Sequence, residues 1–440
     1  MVAVRSSIHD REILSLALPA LGALAAEPLY LLTDTAIVGH IGTQQLAALA
    51  LAATVLSSLA ALCNFLTYGT TAQVARLHGA GDRERSDGLG IQALWAALAV
   101  GLLAALLTIA CGPTVIRLLG GDGHVGDLAT RYLRLSAAGL PFVMFTLAGQ
   151  GWLRGVGDLR TPLMIVVAAN AANVLLELLL VYGLGWGLDG SALGTVTAQA
   201  AMGTAFVWRL TRNPATPRRP FAAMLRPMFA VGAQIAVRTG SLLLAFGIGS
   251  AVVARAGDAP LAANQIAFEL FVFLALVLDA LAIAGQVLVG RALGAGDVRA
   301  ARISGRRLCE LSFGAGAMMT LLLLTLSGPL PRVFTSDGAV LDQLARIWPI
   351  FAAMLPFAAV VFALDGVLIG AGDTRYVAAA MVAAAAVTVA VDLVTLDQGW
   401  GIVGVWWGVV ALIAVRLATM ATRFAGAGWS VVGASATTGR

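Results

Sequence analysis

Two short stretches carry side chains that could do chemistry. Asp34 lies in LLTDTAIVGHIG (Leu31 to Gly42), near the end of an apolar run that begins at Ile13. The stretch AANAANVLLELLL places Asn170, Asn173 and Glu177 at i, i+3 and i+7, and a helix collects all three on one face. Thr195 follows a Gly-rich turn, GLGWGLDGSALG. A charged carboxylate inside hydrocarbon costs about 2.5–3.5 kcal/mol on insertion scales, so each acid needs a partner or a purpose. Two carboxylates, two amides and a hydroxyl can bind one cation or hold one shared proton. A static hydrogen-bond network joining the same helices is the competing reading. Two acids with no basic partner in these stretches would make poor glue, however. Glu27, seven residues before Asp34 and on the same helical face, reads as a relay or cavity-lining acid, or else marks a kink with Pro28.

The elements that must position these residues follow from composition. Hydrophobic residues make up 59% of 440 positions, charged residues 12%, and mean hydropathy is +0.89. A soluble chain carries about 25% charged residues, so this is a polytopic, all-α membrane protein with no room for a soluble domain. Charge-poor runs, each long enough for a span of about 20 residues, number twelve. They form an N-terminal six-helix lobe (1–212), a Pro/Arg-rich linker (213–226) and a C-terminal six-helix lobe (227–440). At about 1.5 Å rise per residue, Asp34, Glu177 and Thr195 share one depth near the outer boundary. Twelve spans put both termini and the linker on one side. That side collects 21 of the 28 arginines, which the positive-inside rule assigns to the cytoplasm. The expected location is the cell membrane.

Several function classes fall away. All 28 basic residues are Arg, so neither a P-loop lysine nor a Schiff-base lysine exists. The arginines are scattered through short loops and form no stripe for nucleic acid. Cys63, Cys111 and Cys309 lie singly in apolar runs, and the four histidines lie in loops or termini. No metal site, cofactor or enzyme active site is expected. The GAGD and GVGD loops resemble phosphate cradles, but without lysine they read as ordinary turns.

An internal repeat runs along the chain at an offset of 215. RLHGAGD (Arg76 to Asp82) meets RALGAGD (Arg291 to Asp297), RGVGDLR meets IGAGDTR, and LPF at Leu140 meets LPF at Leu355. Each copy holds an even number of spans, so a two-fold axis along the membrane normal should relate them. A duplicated bundle should leave a cleft for substrate. The same offset pairs Asn64 with Asp279, Gln150 with Asp365, and Glu177 with Asp392. These six, with Arg238 and Glu269, are candidate relay or cavity residues. An ion pair of Arg238 with Asp279 or Asp365 competes with a gating or substrate-contacting role. Arg238 reads as the only arginine deep in a span. Asp34 pairs with Gly249, so the ion site is expected in the first half alone.

The first-span LLTDTAIVGHIG, the NxxNxxxE face, the GAGD loops, the LPF pair and the LDG at Leu364 to Gly366 together resemble multidrug and toxic compound extrusion (MATE) transporters. Within that family the chain looks most like the DNA-damage-inducible F-type branch. The resemblance implies two V-arranged six-helix lobes and export of amphipathic, often cationic compounds against inward proton or sodium flow. It also implies cation-site roles for Asp34, Asn173, Glu177 and Thr195, with Asn170 adjacent. Glu177 stands where the family commonly has Asp, one methylene shorter. The expected protein is therefore a proton-coupled, or sodium-coupled, antiporter working as a monomer on amphipathic small molecules among membrane lipids. The alternative within transport is a lipid-linked precursor flippase, which should have a more cationic cavity. A channel is disfavoured because the intramembrane charges form no rings.

Overall fold

The computed structural model describes residues 2–212 and 219–434, with side chains from residue 10 onward except 222–224. Most of the expected linker, residues 213–218, lies outside the described residues. A backbone in lipid must satisfy its own polar groups, which leaves helices for runs this apolar. The first half comprises α1 (Val2–Gly39), α2 (Thr43–Cys63), α3 (Phe65–Gly79), α4 (Arg83–Leu118), α5 (Gly123–Ser136), α6 (Leu140–Gly155), α7 (Arg160–Glu177) and α8 (Gly187–Thr211). The second half comprises α9 (Ala222–Ala254), α10 (Asp258–Gly294), α11 (Val298–Thr325), the short α12 (Pro329–Phe334), α13 (Gly338–Gly370), α14 (Thr374–Gln398) and α15 (Gly401–Ala425). No strand occurs among the described residues.

Taking α2 with α3 and α5 with α6 as single crossings gives the twelve transmembrane helices expected. Eleven are apolar enough to cross a membrane on length and composition alone. The twelfth, α8, is diluted by Ser191, Thr195, Thr197 and Gln199, and two of those residues belong to the site described below. Leu102, Leu106, Leu244, Phe273 and Leu321 are each more than half exposed, as residues solvated by lipid should be.

The chain's contacts divide it into two units: Gly22–Ala236, and Met1–Leu21 with Val237–Arg440. The divisions fall inside α1 and inside α9, at positions 215 apart, whereas chain order alone suggested the linker. Local packing supplies the reason. Asp10 on α1 takes a two-pronged hydrogen bond from Arg307 on α11, at 2.6 and 2.9 Å. The start of α9 packs against α3, where a Cβ added to Gly232 would come 2.5 Å from Phe65.

The repeat is visible in the packing. Gly151 and Gly155 on α6 form a GxxxG seam against α3, and Gly366 and Gly370 on α13 form its counterpart against α10. A Cβ on Gly151 would fall 2.8 Å from the carbonyl oxygen of Thr67, and one on Gly366 would fall 2.7 Å from the carbonyl carbon of Ala282. Small residues allow this approach, which is how helices associate where lipid removes the hydrophobic drive. Thr67 and Thr71 donate across the first seam to the carbonyls of Leu147 and Gly151, at 3.0 and 3.1 Å. The glycine-aspartate loops are turns, as expected. The glycine before each aspartate adopts positive φ (Gly81 77°, Gly157 83°, Gly296 82°, Gly372 76°). Asp82 and Asp297 then cap the next helix by accepting from Arg85 N and Ala300 N.

Candidate functional site

Four elements of the Gly22–Ala236 unit converge on one buried point. Helix α1 brings Tyr30 and Asp34, one turn apart; α7 brings Asn173 and Glu177, also one turn apart; α8 brings Ser191 and Thr195 at the same spacing. The i, i+4 spacing stacks each pair on a single face. Asp34, Asn173, Glu177, Ser191 and Thr195 are all buried. Asn173 Nδ2 donates to Glu177 Oε1 at 2.6 Å, and Thr195 Oγ1 donates to the same oxygen at 3.1 Å. The Tyr30 hydroxyl bonds Thr195 Oγ1 at 2.9 Å, so a hydroxyl chain runs from α1 to the acid. Ser191 Oγ donates to Asp34 Oδ1 at 2.8 Å. Buried Tyr132 from α5 brings its hydroxyl to Ser191 and Thr195.

The two acids lie within hydrogen-bonding reach of each other. Glu177 Oε2 and Asn173 Oδ1 receive no donor among the described residues. Carboxylates only accept when ionised, so two acids this close repel each other while both are charged. Gly194 on α8 leaves room for the longer acid, since a Cβ there would touch Glu177 Cγ at 3.0 Å. Directly after Glu177 the helix widens into a π turn, Leu178–Gly183. Such turns concentrate at functional sites. This one contains Tyr182, which donates to the Ile37 carbonyl of α1 at 2.7 Å. The repeat-related α14 continues as a regular helix.

Next to the acids lies a cavity of about 350 Å³ within the same unit. Glu27, Asn64, Gln150, Asn170, Asn173 and Thr195 line it, together with Tyr30, the cation Arg154 and a remainder that is mostly aliphatic. Asn170 donates to the Ala26 carbonyl of α1 at 3.0 Å, and Gln150 accepts from Arg154 at 2.8 Å. Helix α1 is continuous through Glu27 and Pro28.

The second-half candidates fall into separate places. Buried Asp365 on α13 pairs with Arg238 on α9 and with Arg416 on α15, the latter at 2.7 Å. Asp279 acts electrostatically on Arg416. Arg238 is therefore not the only arginine deep in a span: Arg416 is 3% exposed within α15, close enough to the chain's end to read as a loop charge in sequence. Glu269 is exposed and accepts from Gln265 on its own helix. Asp392 is fully buried, and among the described residues neither of its oxygens has a hydrogen-bond partner. Among the described residues no cluster of three or more metal-type ligands occurs.

Ser191, Tyr30 and Tyr132 are site residues that the sequence alone did not single out. Ser191 and Tyr30 lie four residues before Thr195 and Asp34 respectively, so the helical face extended outward from those two contains them. No sequence signal points to Tyr132 or to the π turn.

Twelve membrane-crossing helices in two repeated halves, with paired acids buried among them, define a multi-pass membrane transporter. The chain belongs to the MatE family, which it matches over residues 19–179 and 235–394. It is 31% identical to Protein DETOXIFICATION 44, chloroplastic, of Arabidopsis thaliana, over 94% of this chain and 81% of that one. It is 30% identical to DNA damage-inducible protein F of Escherichia coli, over 92% and 90% respectively, a relative from the branch that the sequence resembles. Among solved structures, a MOP superfamily transporter from Pyrococcus furiosus shares the fold at a TM-score of 0.86 and 21% identity, covering 95% and 96% of the two chains.

Proposed function

We propose that this chain is a cation-coupled antiporter, with the proton as the favoured ion and sodium the other candidate, which exports amphipathic or cationic small molecules by alternating access. The reading is carried by one observation: two buried acids within reach of each other, with no arginine paired to either among the described residues. Such a pair changes its interactions when a cation or proton arrives, because Asp34, Glu177, Thr195 and Tyr30 hang on one hydrogen-bond chain linking α1, α7 and α8. Binding there biases the position of α1 and the shape of the neighbouring cavity. Linkage then requires ion and substrate to favour different states. The cavity's volume falls within the usual range of about 300–1,000 Å³ for small-molecule sites. Its mixture of Tyr, Asn, Gln, Glu27 and Arg154 with aliphatic walls suits an amphipathic guest. In this reading the protein sits in the cell membrane as a monomer with both termini cytoplasmic.

The test is efflux of a fluorescent lipophilic cation from proteoliposomes under an imposed proton or sodium gradient, with wild type beside Asp34→Asn. Efflux driven by one gradient and lost in the variant is expected, and names the ion. Efflux in Asp34→Asn equal to wild type refutes the coupling site. No gradient-dependent movement in wild type refutes the antiporter and turns attention to lipid-linked substrates.

A further inference from the structure

The second half retains a remnant of the acid site. At the offset of 215, Asn173 and Glu177 of α7 become Thr388 and Asp392 of α14, while Asp34 of α1 becomes Gly249 of α9. The structure places these three counterparts together. A Cβ added to Gly249 would lie 3.3 Å from Asp392 Oδ2, and one added to Gly408 of α15 would lie 2.8 Å from Oδ1. Two glycines on neighbouring helices thus clear the space around the acid. A cavity of about 20 Å³, enough for a single water, adjoins it, lined by Ser250, Asn264, Thr388 and Trp406 among apolar neighbours.

Among the described residues, nothing satisfies the acid's charge. Neither oxygen of Asp392 has a hydrogen-bond partner among them. Two nearby donors are engaged elsewhere: Thr388 Oγ1 donates to the Ala384 carbonyl at 2.9 Å, and Trp406 Nε1 donates to Asn264 Oδ1 at 3.2 Å. The cavity's lining includes Gly249 and Ser250 from α9, Asn264 from α10 and Trp406 from α15, and none of these titrates. The arginines of this unit's interior, Arg238 and Arg416, pair with Asp365 instead. A buried ionised carboxylate without donors or a counter-charge costs far more than the neutral acid.

We propose that Asp392 is a second proton-binding site, a neutral carboxylic acid in the second half of the chain that exchanges its proton with water admitted to the adjoining cavity. The carboxylate takes up one proton from hydronium to become the acid, and returns it to water on release. The loss of the second acid at Gly249 makes this a one-acid site, separate from the Asp34–Glu177 pair.

Infrared spectroscopy of the reconstituted full chain tests this, in an Asp34→Asn/Glu177→Gln background that removes the acids of the first site. The expected result is a protonated-carboxyl C=O band at neutral pH that disappears, by the intensity of one group per chain, when Asp392→Asn is added. Gly249→Ala retains the acid and narrows its space, so it should shift the band's frequency, and it decides the matter if Asp392→Asn does not fold. Identical spectra with and without Asp392→Asn, an unmoved band in Gly249→Ala, or conversion of the band to carboxylate by sodium would each overturn the proposal. None of these readouts depends on transport, so failure of the first site's reading leaves a distinct signature.

Discussion

Replacing Gly366 with alanine should loosen the α10–α13 seam. The added Cβ would lie 2.7 Å from the Ala282 carbonyl carbon, against an ordinary separation of about 3.5–4.0 Å between carbon atoms. The obstacle is backbone in the middle of a helix, so it cannot swing aside as a side chain could. Helix α13 must therefore move away from α10 by roughly half an ångström or more along a seam shared with Gly370, whose own Cβ would sit 2.8 Å from Gln286 Cα. Overpacking of this kind costs typically about 1–3 kcal/mol, and the dispersion lost along the seam adds to it. Thermal unfolding of the detergent-solubilised protein, followed by size-exclusion chromatography, reads the effect. At roughly 2–4 °C per kcal/mol for domains of this size class, Tm should fall by several degrees. Gly151→Ala, its repeat counterpart, should lower Tm as well. As a control, Gly314→Ala on α11, where no atom lies within 4 Å of an added Cβ, should change Tm little or raise it. Wild-type Tm in Gly366→Ala would refute the packing argument.

Other perturbations follow from the sites. Thr195→Val preserves shape but removes the donor to Glu177 Oε1 and the partner of the Tyr30 hydroxyl. A hydrogen bond to a charged group is worth about 1.5–3 kcal/mol, so the concentration of coupling ion giving half-maximal efflux should change at least tenfold; an unchanged ion dependence would remove Thr195 from the site. Asp365→Asn should destabilise the protein by about 3–5 kcal/mol, because it leaves Arg238 and Arg416 buried without their shared acid. Arg238→Gln should cost less, since Arg416 still pairs with Asp365. Equal Tm losses in the two variants would contradict that ordering.

Much of this protein is legible in one dimension. Membrane spans are dictated by runs of side chains that water rejects, so the twelve crossings and the 215-residue repeat can be read directly from residue order. Buried acids in hydrocarbon are rare enough that Asp34 and Glu177 stand out, and the spacing of Asn173 and Glu177 by itself puts both on one helical face. The turn role of the GAGD loops also follows from residue type, since glycine is the residue that readily takes positive φ.

Tertiary structure decided which polar groups meet. Ser191 and Tyr132 look like ordinary polar residues in sequence, and only the convergence of α1, α5, α7 and α8 brings their hydroxyls to the site. Arg416 lies near the end of the chain, yet packing carries it inward to Asp365. The divisions within α1 and α9 likewise depend on where each helix finds its contacts. Periodicity assigns a residue to a face, but the face's partner is set by helix crossings, and those depend on glycines such as Gly151 and Gly366 meeting particular backbone atoms on helices distant in sequence.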